Sequence, residues 1–175
     1  MSSTRETDRD RALLDEFLEN LSRHAVTAEV VDRADASAAI ESELVGAAVG
    51  TEAAFEGIDP PGRVTLDPTV EEITGADTGV TVGIMGVAAY GSVVVPSTEA
   101  WDGPVSLYPP RHVAVLRRDD VVPDMASALS RLSERFEAGA NDVVFVTGRS
   151  STGDMGASVV GVHGPSEMHV VVVDG

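Results

Sequence analysis

Residues 143–174 read VVFVTGRSSTGDMGASVVGVHGPSEMHVVVVD, and two apolar runs frame this stretch. Val143–Val146 breaks at Thr147-Gly148, and His169–Val173 runs without alternation to Asp174. Runs of strand length that are apolar on both faces suit a sheet covered on both sides, the arrangement of an α/β domain. Ligands of such sheets bind beyond the carboxyl ends of the strands, which is where Thr147 to Asp154 is expected to lie.

The rest of the chain supplies helices and strands in alternation. Leu13, Leu14, Phe17, Leu18 and Leu21 fall at helical spacing and predict a first helix over Asp8 to Ser22. A strand over Ala28 to Val31 follows, then a helix capped around Asp35-Ala36-Ser37 and running through Ala47. Gly57 to Gly62 is a turn, Arg63 to Leu66 a strand, and Asp67-Pro68 opens a short helix through Ile73. The proline-punctuated segment Pro96 to Pro110 shows no period and reads as a long loop around Trp101. His112 to Leu116 is a strand, and Val122-Pro123 opens a helix with Met125, Leu129, Leu132 and Phe136 as its buried stripe and Gly139 as its stop. Interleaved strands and helices without repeats give a layered α/β fold. The expected division is an N-terminal helical segment over residues 1–27 and one α/β domain over 28–175.

Composition removes whole classes of chemistry. The 175 residues contain no cysteine, and all twelve basic residues are arginine. This stretch of chain therefore offers no thiolate, disulfide or iron–sulfur ligand, and no lysine for a Schiff base or phosphate loop. A net charge of −17 argues against nucleic acid as a partner, since backbone phosphates need clustered cations. Such acidity with arginine in place of lysine fits a protein of a salt-accumulating halophile, the alternative being an acidic mesophilic protein from a GC-rich genome. Met1 to Asp10 lacks an apolar signal core and no run approaches a membrane span, so a cytoplasmic protein is expected.

A family resemblance rests on the same late stretch. TG-R-SS-T-G-D followed by GVHGP-SE-MHVVVVD is similar to the closing signature of the lactate utilization protein C family, the LUD domain. Gly79-Val80-Thr81 leading to Gly91-Ser92-Val93-Val94-Val95, and Tyr108-Pro109-Pro110-Arg111-His112, match the pattern in the same order. The resemblance implies a hairpin-like return between residues 83 and 91. It also implies a three-layer, Rossmann-like sheet with helices on both faces, as in ribose-5-phosphate isomerases, glucosamine-phosphate deaminases and CoA transferases. Its functional implication is a non-redox subunit of an L-lactate oxidation system, with iron–sulfur clusters on partner subunits and no cofactor on this chain. Such a subunit would bind a small anionic molecule or scaffold its partners, with association between copies of the chain left open. The alternatives are a stand-alone enzyme of the CoA-transferase or sugar-phosphate isomerase type and a ligand-binding regulatory module. The family's acidic residue and threonine in the middle motif are Ala89-Tyr90 here, and its Pro-Ser-Arg-Thr is Arg149-Ser150-Ser151-Thr152. A carboxylate-dependent reaction would thus lack its carboxylate.

Two histidines are candidates for chemistry. His112 and His163 sit beside Pro or Gly, where an imidazole can act as a general base or shape a turn by bonding a carbonyl. The loop holding Thr147, Gly148, Arg149, Ser150, Thr152 and Asp154 combines hydroxyls, backbone N–H groups and a guanidinium, a set able to hold a carboxylate or phosphate or to serve as a connector. Gly91, Ser92, Gly161 and Gly164 join it as candidate ligand contacts. No metal is expected: the spacing of His163, His169 and Asp174 matches no zinc or iron template.

Overall fold

The computed structural model describes residues 2–137, 139, 142–148 and 164–175, with side chains from residue 8 onward. The described residues form two sheets. Six parallel strands make the larger one: β1 (Thr27–Asp32), β2 (Ala48–Gly50), β3 (Val64–Leu66), β4 (Thr78–Gly83), β7 (Arg111–Arg117) and β10 (Glu167–Asp174), in the order β1-β10-β7-β4-β2-β3. A smaller sheet orders β8 (Val121–Val122), β5 (Met85–Val87), β6 (Ser92–Pro96) and β9 (Val143–Val146) as β8-β5-β6-β9. Among the described residues no helix is long and apolar enough to cross a membrane.

Helices cover both faces of the large sheet, giving the expected three layers. On one face lies α1 (Ser2–Arg23), whose Phe17 and Leu21 are fully buried against Ala114, Leu116, Val170 and Val172 together with Val93, Val95 and Val146 of the small sheet. Each such aromatic or leucine side chain contributes about 1.5–3 kcal/mol by leaving water. On the other face α2 (Ala36–Glu43) packs Ala36 and Ile40 on Val113, Val115, Val171 and Val173. The unalternating Val170–Val173 run is buried throughout because both faces of β10 are covered. Behind the small sheet, α5 (Met125–Glu137) buries Ala128 and Leu132 against Met85, Val87 and Val94.

Several elements differ from expectation, each for a local reason. Helix α1 starts at Ser2, ahead of the apolar stripe. Helix α2 ends at Glu43, with Asp35 closing a 3-10 turn and offering no side-chain cap, and the chain after Gly46 forms β2. Helix α3 (Val70–Gly75) begins after Pro68 because Thr69 and Glu72 form a reciprocal capping box, while Asp67 takes a positive φ of 52°. The segment expected to be a loop contains α4 (Asp102–Leu107), with Gly103 and Pro104 in its first turn, where proline's missing N–H has no helical acceptor to lose. Val105 seats this short helix on β4: a Cβ on Gly79 would stand 2.1 Å from the Val105 carbonyl oxygen. In α5 the expected stripe is half right, since Leu129 and Phe136 are 56% and 43% exposed. Strand β9 is not part of the parallel sheet; it runs antiparallel to β6, and Phe145 is exposed.

Candidate functional site

The antiparallel pairing of β9 with β6 moves the start of the expected binding loop. Thr147 follows the end of β9, but Gly148 packs on the α1–β1 connection, where a Cβ would meet Val26 Cγ2 at 2.6 Å and the His24 carbonyl oxygen at 2.8 Å. That connection leads into the amino end of β1, so the loop leaves from the opposite end of the sheet to the one expected. Thr147 Oγ1 and the buried Ser92 Oγ share a hydrogen bond of 2.7 Å. Gly91 adopts φ 56° after a 3-10 turn, and a Cβ there would lie 2.5 Å from the backbone of Asn20 and Leu21. Asn20 Nδ2 donates to the Ala88 carbonyl at 2.8 Å, so this turn is locked to α1. Gly91, Ser92, Thr147 and Gly148 thus come together at the carboxyl end of α1, and Gly91 and Gly148 are needed there for close packing. Gly164 is exposed, with φ 95° and open space around it. Arg149, Ser150, Thr152, Asp154, Gly161 and His163 lie outside the described residues.

His112 is fully buried in β7, opposite Gly79 and Met168 at the amino end of the sheet. Its Nε2 shares a 2.8 Å hydrogen bond with Thr81 Oγ1, and Nδ1 has no partner among the described residues. Burial pushes its pKa down to about 4. A neutral ring tolerates one bare nitrogen, whereas an imidazolium would bury an unsatisfied N–H as well as a charge. This histidine is held neutral in the core and bonds a threonine hydroxyl rather than a turn carbonyl.

His169 occupies the other face of the sheet, since the residue beside it in register with His112 is Met168. Glu29 from β1 and Glu43 from α2 converge on it, with His169 Nε2 3.5 Å from Glu29 Oε1 and Nδ1 3.5 Å from Glu43 Oε2. Thr27 Oγ1 holds Nδ1 at 2.7 Å. Arg111 is ion-paired with both Glu43 and Glu167. Burial, opposed by the two glutamates, lowers the His169 pKa. The sequence marks His169 as the start of an apolar strand and weighs it for a metal only with His163 and Asp174, because nothing in its spacing brings Glu29 or Glu43 to it.

At the carboxyl ends of β4, β7 and β10 the sheet opens a cleft on its α2 face. The cavity is about 270 Å³, with Val82, Val115 and Val173 as its floor and Arg33, Arg117 and Glu56 among its walls. Arg33 Nε donates to the Gly175 carbonyl at 2.9 Å, which fixes its stem beside the strand ends, and its guanidinium lies over Gly57. Arg117 is largely exposed, and Asp120 Oδ2 stands 4.0 Å from its Nε. Two guanidiniums above an apolar floor, where parallel strands finish, are groups able to hold a small anion. Arg33 directly follows β1 and Arg117 closes β7, in the sequences Val30-Val31-Asp32-Arg33 and Val115-Leu116-Arg117, a positional signal that could have marked them.

Residues 64–173 match the family model for the LUD domain. The chain belongs to the LUD domain family. Its LUD region contains His112, Arg117 and His169, whereas Glu29, Arg33 and Glu43 precede the matched residues. Lactate utilization protein C 1 of Bacillus mycoides (strain KBAB4) is 34% identical over 103 residues, which are 57% of this chain and 44% of that protein. Lactate utilization protein C of Geobacillus sp. (strain WCH70) is 32% identical over 102 residues, 56% of this chain and 42% of that protein. The chain therefore spans less than half the length of these relatives. The crystal structure of a DUF162 family protein from Deinococcus radiodurans has the same fold, with a TM-score of 0.74 over 94% of this chain and 98% of that one at 21% identity.

Proposed function

We propose that this LUD domain chain is a non-redox subunit of an L-lactate utilization system, and that it holds a small carboxylate at the Arg33–Arg117 cleft beside iron–sulfur partner subunits. The cleft carries the reading. A short 2-hydroxy or 2-oxo acid needs a cation for its carboxylate and an apolar wall for its methyl group, and Arg33, Arg117, Val82, Val115 and Val173 supply both. The names of the curated relatives point to lactate among such acids. Oxidation of lactate to pyruvate releases two electrons and two protons. With no cysteine in its 175 residues, this chain offers no cluster ligands to receive them, so the acceptor would sit on cysteine-bearing companions. The stand-alone enzyme of CoA-transferase type has no comparable support, since Ala89 stands where a carboxylate would be required.

Calorimetric titration with L-lactate, pyruvate and the neutral amide of lactate tests the proposal, run in molar KCl to screen the acidic surface. The expected result is binding of the two acids, no binding of the amide, and about a tenfold loss of affinity in Arg117→Gln, the weight of one charge-assisted hydrogen bond at an exposed site. Equal affinity for acid and amide would overturn the assignment of the cleft. Lactate oxidation by the purified chain alone would overturn the non-redox role.

A further inference from the structure

We infer that His169, Glu29 and Glu43 form a binding site for one divalent transition-metal ion, of the zinc or manganese type. Carboxylates alone would mean little in a chain of net charge −17. The buried imidazole is what distinguishes this group: His169 is 5% exposed, and its Nε2 has no hydrogen-bond partner among the described residues. That nitrogen points toward Glu29 without making a hydrogen bond. One ligand atom from each of the three side chains lies within 4.8 Å of the other two.

One pair of ligand atoms already has the spacing a metal would impose. Tetrahedral coordination with bonds of about 2.1 Å puts neighbouring ligand atoms roughly 3.4 Å apart. His169 Nε2 and Glu29 Oε1 already stand at 3.5 Å, whereas Glu43 Oε2 lies 3.5 Å from Nδ1, so the Glu43 side chain has to swing round the ring edge toward Nε2 to complete the set. Thr27 Oγ1 on Nδ1 fixes the ring plane and leaves Nε2 as the ligand atom, the outer-shell arrangement usual for metal-bound histidine. Arg111 takes the same part for Glu43, gripping it from the side of Glu167. An imidazole with two carboxylates selects zinc, manganese or iron over calcium and magnesium, which prefer all-oxygen sets. Residues from α2, β1 and β10 supply the ligands, so the metal would tie the edge strand β1 and the helix α2 to the centre of the sheet.

The test uses the full chain stripped with chelator and titrated with Zn²⁺ and Mn²⁺ in high salt, with Co²⁺ as a spectroscopic probe. One ion per chain is expected, with affinity falling at least tenfold in Glu29→Gln and in His169→Ala. Co²⁺ should give the visible bands of a nitrogen- and oxygen-ligated four-coordinate site, absent in both variants. Glu29→Gln preserves shape at a partly exposed position and keeps the test decisive if His169→Ala does not fold. Several weak sites per chain, unchanged in Glu29→Gln, would mean surface carboxylates only and would overturn the inference. So would a Co²⁺ spectrum of the hexa-aqua ion.

Discussion

Acidification should destabilise this protein through His112 by an amount the structure sets. The ring is fully buried and its pKa falls from 6.5 to about 4 because burial penalises the cation. In the unfolded chain the same ring takes up its proton near pH 6.5. The unfolded state therefore binds more protons between these values, so the contribution is complete above pH 6.5 and is lost as pH falls through about 4. A shift of this size corresponds to roughly 3 kcal/mol in full, and about 2.5 kcal/mol of it is gone by pH 4.5. His169, also shifted downward, adds a loss of the same sign. Urea denaturation of the natural chain and of His112→Gln, at fixed high salt between pH 7.5 and 4.5, isolates the effect. Gln reaches Thr81 as Nε2 does but cannot titrate, and the carboxylates and His169 are common to both chains. The natural chain should lose about 2.5 kcal/mol more than the variant over this range. Parallel pH profiles would refute the reasoning, whatever the variant's absolute stability.

Gly91→Ala combines a positive φ with a Cβ 2.5 Å from the α1 backbone, so it should cost more than about 2 kcal/mol and lower the melting temperature by several degrees. Leu132→Ala should cost about 2–5 kcal/mol by opening a cavity, while Leu129→Ala on the exposed side of α5 should stay within about 0.5 kcal/mol; equal losses would mean α5 is rotated.

The layered α/β fold was legible because periodicity reports burial directly. Leu14, Phe17 and Leu21 mark the face of α1 that packs, and the unbroken valines of β10 mark a strand with both faces covered. Elements held by tertiary contacts were not legible. Helix α4 contains Gly103 and Pro104 and depends on Val105 fitting over Gly79; β2 is three residues long and is defined by its neighbours β3 and β4. Val143–Val146 and His169–Val173 look alike as strings, yet one lies in an antiparallel sheet and the other in the parallel one, a difference that only pairing decides. For the same reason the sequence led to the loop after β9, whereas the cleft and the His169 group draw on residues far apart in the chain.

The seat of β10 between β1 and β7 has a consequence for synthesis. Strand β1 is made well before β10, yet it pairs with β10 through six registered residues. Until residues 167–174 leave the ribosome, β1 and β7 each hold an open row of N–H and C=O groups with apolar side chains beside it, a template for pairing between nascent chains. The edge strand β1 joins the sheet only through β10, so truncation within β10 should yield an aggregating product instead of a smaller folded one.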